Sequence, residues 1–386
     1  MYGRMEMIAR RAFCVSGALV ALGIAAPVLA KPASEVIYIG QHGTTIQAAR
    51  FNPVDGSLNL VGSVADSRRS TWALAHPRLP IVYFNEDPPA DQEPSGGVKA
   101  FGINAATGAL TLLSDQRVGG AGTTHLWFDK ASNTILAANY GAGSLVTLPV
   151  KRDGTVGAPT STVKFTGSGP HKRQGSSHAH GVSVSPDGHW ALVTDLGADR
   201  VWVVPFDRQT GKLGALDLAS PHHAVLPAGS GPRHMAWSPS GQYLYVLTEL
   251  TASLLTYRWD AAKGQLALVD SQSTDAAGYT GDKSASEIAI SRDGRFLYTG
   301  NRGDNTLVVF ALNGTTGAAK MVQRVSSGGV MPWHFTLHAS GRWVLVANRG
   351  SDSVNVLARD PKTGLLSATP NKVSVTLPVQ VFSRGR

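Results

Sequence analysis

The sequence predicts an all-β fold, a seven-bladed β-propeller, from three observations. One turn glycine recurs seven times, one strand-turn-strand unit recurs with it, and no helix-period segment competes beyond the first thirty residues.

The glycine sets the period. Gly56, Gly108, Gly154, Gly211, Gly264, Gly317 and Gly364 each follow Asp, Thr or Lys and closely precede an apolar residue, as a tight hairpin needing positive φ requires. Their spacings are 52, 46, 57, 53, 53 and 47 residues. A second register is the turn Ser185-Pro186-Asp187-Gly188, repeated as Ser238-Pro239-Ser240-Gly241, Ser291-Arg292-Asp293-Gly294 and His338-Ala339-Ser340-Gly341. Each turn feeds an apolar strand that ends in a polar residue, and this reading aligns Asn85, Asn139, Asp195, Glu249, Asn301 and Asn348. One unit is therefore four strands in roughly fifty residues, the size of a propeller blade.

The first unit opens at Val36-Ile37-Tyr38-Ile39-Gly40, which matches the second strand of later units, so its innermost strand is missing on the N-terminal side. The tail Pro378-Val379-Gln380-Val381-Phe382 is expected to supply it and to close the ring in one blade, leaving no open sheet edge.

Residues 1–30 are set apart. Arg4, Arg10 and Arg11 precede an apolar run from Ala12 to Leu29 that ends in Val28-Leu29-Ala30, a secretory signal pattern. Arg10-Arg11-Ala12-Phe13-Cys14-Val15 also looks like a twin-arginine export signal, with an ordinary secretory signal as the alternative. Residues 31–386 then form a single propeller domain, located in the periplasm or secreted. The lone cysteine, Cys14, lies in the signal, so a large core rather than disulfides must stabilise the remainder. No second apolar stretch reaches the ~20 residues of a membrane helix. The 42% hydrophobic and 16% charged composition suits a well-cored chain rich in turns. With three Arg and one Glu removed, +7 of the formal +9 charge remains, spread without a dense basic run. Nucleic acid and membrane partners are not expected, a small anionic ligand is, and the chain is expected to be a monomer.

Chemistry is expected where the innermost strands begin. His180, Arg233, Ser286 and Trp333 each stand eight residues before a turn glycine, and His234, Glu287 and His334 stand seven before. Different residues at one repeat position point to function, because a structural position tends to repeat its residue. Glu249 and Asp195 break the otherwise regular Asn series in the same way.

The units 181–206, 231–257 and 286–310, with Thr194-Asp195-Leu196-Gly197-Ala198-Asp199 and Gly231-Pro232-Arg233-His234, resemble the seven-bladed lactonase propellers. That family includes the propeller-type 6-phosphogluconolactonases and the fungal carboxymuconate cyclases. The cyclases' proposed site uses one His, one Glu and two Arg. The resemblance places these on His180, Glu249, Arg233 and Arg302, with Arg349 repeating the Arg302 context one blade later. It implies a lactone hydrolase in which Glu249 and His180 share proton transfer while Arg233 and Arg302 hold a carboxylate or oxyanion. His178, His234, Glu287, His334 and Asp195 are expected to contact the substrate. A metal bound by His178, His180 and His234 is not expected, since no cysteine or close carboxylate pair completes the set, and no cofactor is implied. The family's phosphorylated sugar lactone is a cytoplasmic metabolite, so an exported chain is expected to act on a different small anionic or sugar-like lactone. Two alternatives stay open: a lactonising enzyme of the cyclase type, and a non-catalytic ligand- or protein-binding propeller.

Overall fold

A computed structural model describes residues 34–87, 96–216 and 223–384; the expected signal at 1–30 lies outside them. The sheets follow the seven sequence units, each innermost strand first: the strands that lie within 73–117, 123–164, 179–225, 232–273, 285–326 and 332–374 make blades two to seven. Blade one combines Pro378–Ser383 with Glu35–Gln41, Thr45–Phe51 and Leu58–Asp66. The tail strand runs antiparallel to the first strand, pairing Tyr38 with Phe382 and Ile39 with Val381, so the ring closes as expected. Blade four is irregular: Lys212–Leu213 and His223–Val225 both pair with its third strand in place of one continuous outer strand.

All seven repeat glycines have φ between 62° and 85°, the left-handed conformation that glycine adopts without a Cβ clash. Second strands such as Ile81–Glu86, Thr134–Asn139 and Trp343–Asn348 are buried at every position, because both their faces meet a neighbouring blade. The outer strands Leu58–Asp66 and Gln265–Ser273 are largely exposed. The core is consequently a series of inter-blade layers. Between blades seven and one, Ile39, Phe51 and Val381 pack with Trp343, Leu345 and Val354. Each such side chain contributes about 1.5–3 kcal/mol by leaving water.

A tyrosine latch repeats the linkage. The hydroxyls of Tyr38, Tyr83, Tyr245 and Tyr298 donate to the carbonyls of Gly108, Gly154, Gly317 and Gly364, the turn glycines of the following blades, at 2.8–3.0 Å. The glycine thus shapes its own turn and also receives the neighbour's buried phenol.

One sequence alignment is corrected by the pairing. Opposite the inner-strand residues Thr123, Ala179, Pro232, Ala285 and Pro332 stand Asn139, Asp195, Thr248, Asn301 and Asn348. The polar strand end in blade five is therefore Thr248, and Glu249 is the next residue. Its N–H donates to the Gly231 carbonyl at 2.7 Å, as those of Tyr140, Arg302 and Arg349 do to Gly122, Ser284 and Met331. Glu249 thus shares a ring position with Tyr140, Arg302 and Arg349, just past the ladder.

Candidate active site

A β-bulge opens the inner strand in five blades: the register slips between Thr123 and His125, Ala179 and Gly181, Pro232 and His234, Ala285 and Ile288, and Pro332 and His334. A bulge leaves a residue unpaired in the ladder and re-aims its side chain. The residues so released are Thr124, His180, Arg233, Ser286 with Glu287, and Trp333. All of these except Ser286 line one cavity of about 160 Å³, together with His42, Arg69, Asp87, Tyr140 and Arg173. The bulge residues of five blades, joined by Tyr140 from the ring of residues just past the second strands, therefore converge on one space.

Glu249 organises the cations. Its carboxylate accepts from Arg233 Nε at 3.1 Å, faces Arg302 Nη2 at 2.9 Å, and pairs with Arg173 Nη1. Burial alone would raise its pKa, but the Arg302, Arg173 and Arg233 guanidiniums outweigh burial and hold it well below the carboxylate range. Glu249 and Arg302 are themselves absent from the cavity lining, whereas Arg173, Arg233 and His180 form part of it. Burial, with Arg302 nearby, brings Arg233 down to about 10, so it stays cationic at neutral pH. Arg302 also stacks its guanidinium over Trp333, 4.4 Å from the ring centroid.

His180 is buried, and burial together with Arg233 and His234 keeps its imidazole neutral. Its Nε2 lies 3.8 Å from Glu249, a contact rather than an ion pair for a neutral ring, and its Nδ1 has no hydrogen-bond partner among the described residues. Elsewhere in the lining, Glu287 Oε2 lies 3.0 Å from His234 Nδ1 and 3.6 Å from His334 Nε2. Burial raises the Glu287 carboxyl, partly offset by His334 and Arg233. Trp72, also in the lining, lies tilted against His125 with ring centroids 4.0 Å apart and meets His234 and His334 edge-on.

Of the nine residues singled out from sequence, His180, Glu249, Arg233 and Arg302 come together, and His234, Glu287 and His334 line the cavity beside them. Two do not join them. Asp195 accepts from Ser177 Oγ, His178 N, Gly197 N, Ala198 N and Trp202 Nε1, so it clamps a turn. His178 stacks flat on Tyr140, with Nδ1 2.9 Å from the Tyr140 carbonyl oxygen, outside the cavity lining. Arg173, Asp87 and Arg69 were not anticipated. A larger, mainly apolar cavity of about 780 Å³ shares Trp72, His234 and Glu287 with the first. The smaller one is the better active-site candidate, because the guanidiniums and the unpaired imidazole converge there.

A seven-bladed propeller whose inner-strand cavity gathers Arg173, Arg233 and the neutral imidazole of His180 has the make-up of an enzyme. The family model described as "Lactonase, 7-bladed beta-propeller" matches residues 36–383, and the chain belongs to this family, as a lactonase-type hydrolase. The chain is 33% identical to a 6-phosphogluconolactonase of Bacillus subtilis over 81% of its own length and 86% of the relative's. A 6-phosphogluconolactonase of Formosa agariphila is 29% identical, over 86% of this chain and 93% of that one. The solved structure of a periplasmic gluconolactonase of Pseudomonas aeruginosa superposes with a TM-score of 0.84 and 29% identity, covering 91% of this chain and 99% of the other.

Proposed function

We propose that the chain is an exported hydrolase of a small anionic or sugar-like lactone, acting in the cavity beside His180 and Arg233. The observation that carries this reading is the gathering of Arg173, Arg233 and Arg302 on Glu249, next to a neutral, unpaired imidazole. Fixed guanidiniums suit the oxyanion that develops when water adds to a ring carbonyl, and they gain strength in a desolvated site. Neutral His180 is the base that takes the water's proton.

Glu249 takes a different part from the expected acid or base. A carboxylate kept ionised by its guanidinium neighbours is a weak base and cannot donate a proton near neutrality, so Glu249 is a positioning residue that fixes Arg173, Arg233 and Arg302. A cavity of about 160 Å³ falls below the ~300–1,000 Å³ typical of drug-sized ligands, which favours a substrate of one small ring. Export is supported by the residue pattern of 1–30 and by the likeness to a periplasmic gluconolactonase. Among the described residues, no helix is long and apolar enough to cross a membrane.

The test is acid release from aldonolactones, muconolactones and acyl-homoserine lactones, with and without chelator, beside fractionation of the expressing cell. Turnover of a sugar-like lactone unaffected by chelator, with the protein outside the cytoplasm, is the expected result. Inertness toward the whole panel would overturn the reading.

A further inference from the structure

Ring opening expels an alkoxide, and the hydrolysis proposed above names no group to protonate it. Three carboxylates approach the cavity. Glu249 is held ionised by its guanidiniums, behind the wall. Glu287 accepts from Ile288 N through Oε1 and meets His234 through Oε2. Asp87 is the third, and its situation is different. In blade two the residue just past the usual polar end, Glu86, turns away to pair with Lys99 at 2.8 Å and Arg117 at 2.9 Å. Asp87, one step further, is left lining the cavity. Among the described residues its carboxylate accepts no hydrogen bond, and its nearest cation, Arg69 Nη2, is 3.9 Å away, beyond hydrogen-bonding reach.

We propose, resting on the lactonase reading, that Asp87 is the proton donor to the leaving alkoxide, working with His180 two blades away. His180 removes a proton from water as its oxygen bonds to the ring carbonyl carbon, and the carbonyl electrons move to oxygen beside the guanidiniums. Collapse then breaks the ring C–O bond, whose electron pair takes the Asp87 proton. The His180 imidazolium returns its proton to the Asp87 carboxylate through solvent, leaving lactone plus water converted to a hydroxy acid. The environment suits this role: burial pushes the Asp87 carboxyl up to about 7 against the pull of Arg69. The other titratable group shown to feel it is Tyr140, whose hydroxyl accepts from Arg173 Nη2 at 3.1 Å.

The test compares wild type with Asp87→Asn on two probes, gluconolactone, which expels an alkoxide, and dihydrocoumarin, which expels a phenolate that needs no acid. The expected result is a kcat loss of about 100-fold or more on gluconolactone and under about threefold on dihydrocoumarin. The decline of wild-type kcat/KM above pH about 7 should vanish in the variant, with the denaturation midpoint unchanged. Active wild type with D87N unaffected, or with equal losses on both probes, overturns the assignment of Asp87 alone. Wild type that opens neither lactone overturns the parent reading along with it.

Discussion

Arg302 and Glu249 come from neighbouring blades, yet Nη2 of one stands 2.9 Å from Oε1 of the other, with both residues buried. One carboxylate thereby ties blade six to Arg233 of blade five and to Arg173 of the segment before blade four. Removing either member of such a buried set leaves uncompensated charge, so the loss exceeds what a surface pair would show.

Glu249→Gln should lower kcat/KM by roughly 100-fold, since the oxyanion-binding guanidiniums lose their anchor. It should also lower folding stability by about 3–5 kcal/mol. Steady-state kinetics and a urea titration check both. Retained activity in a destabilised variant would show that Glu249 supports the fold but does not position the guanidiniums for the reaction.

The same residue shapes acid stability. Its folded pKa is depressed, so its contribution is present above the unfolded value of ~4.3 and disappears as pH falls through that value toward the folded one. Denaturation midpoints should drop on acidification from about pH 5 downward, and Glu249→Gln should flatten that slope.

Glu287 has the opposite sign. Burial raises its carboxyl, so its contribution is present below the unfolded pKa and is lost as pH rises through the folded one. Glu287→Gln should therefore leave the thermal midpoint at neutral pH unchanged or higher. A clear fall there would show that an ionised Glu287 supports the two histidines.

His180→Gln should reduce kcat by about 100- to 10,000-fold with little change in KM, the pattern of a lost general base. A change confined to KM would instead make His180 a substrate contact.

Gly181→Ala probes the bulge itself. A Cβ there would come within 2.7 Å of the Arg233 carbonyl oxygen and 2.8 Å of Thr194 Oγ1, so the strand start must shift, at a cost of about 1–3 kcal/mol. Activity should fall with it. Gly175→Ala, which meets nothing within 4 Å, should change neither.

The blade count and turn glycines were legible because they rest on local chemistry repeated seven times, and the closing strand because the first unit lacks the innermost strand the others have. His180, Arg233 and Trp333 were legible as departures from that repetition. Glu249 was read one position off. Gly188, Gly294 and Gly341 stand seven residues before Asp195, Asn301 and Asn348, and the same step in blade five leads from Gly241 to Thr248. Asp195, read as an exception, plays the same turn-holding part as Asn85, whose Oδ1 accepts from Thr71 N and Trp72 N. Arg173 escaped because it lies in the segment between blades three and four, where no repeat position indexes it. The bulges escaped because an unpaired residue leaves the apolar pattern almost unchanged.

The pairing of Tyr38 and Ile39 with Phe382 and Val381 also orders events in time. During synthesis the first strand emerges long before its partner exists, so it must wait beside an unfilled edge until nearly the whole chain has been made. Closure is a late step that joins the most distant parts of the polypeptide, and such long-range pairing is slow. A chain cut just before Pro378 would hold its blades with the circle broken and the Glu35–Gln41 edge unpaired, prone to borrow a strand from another copy.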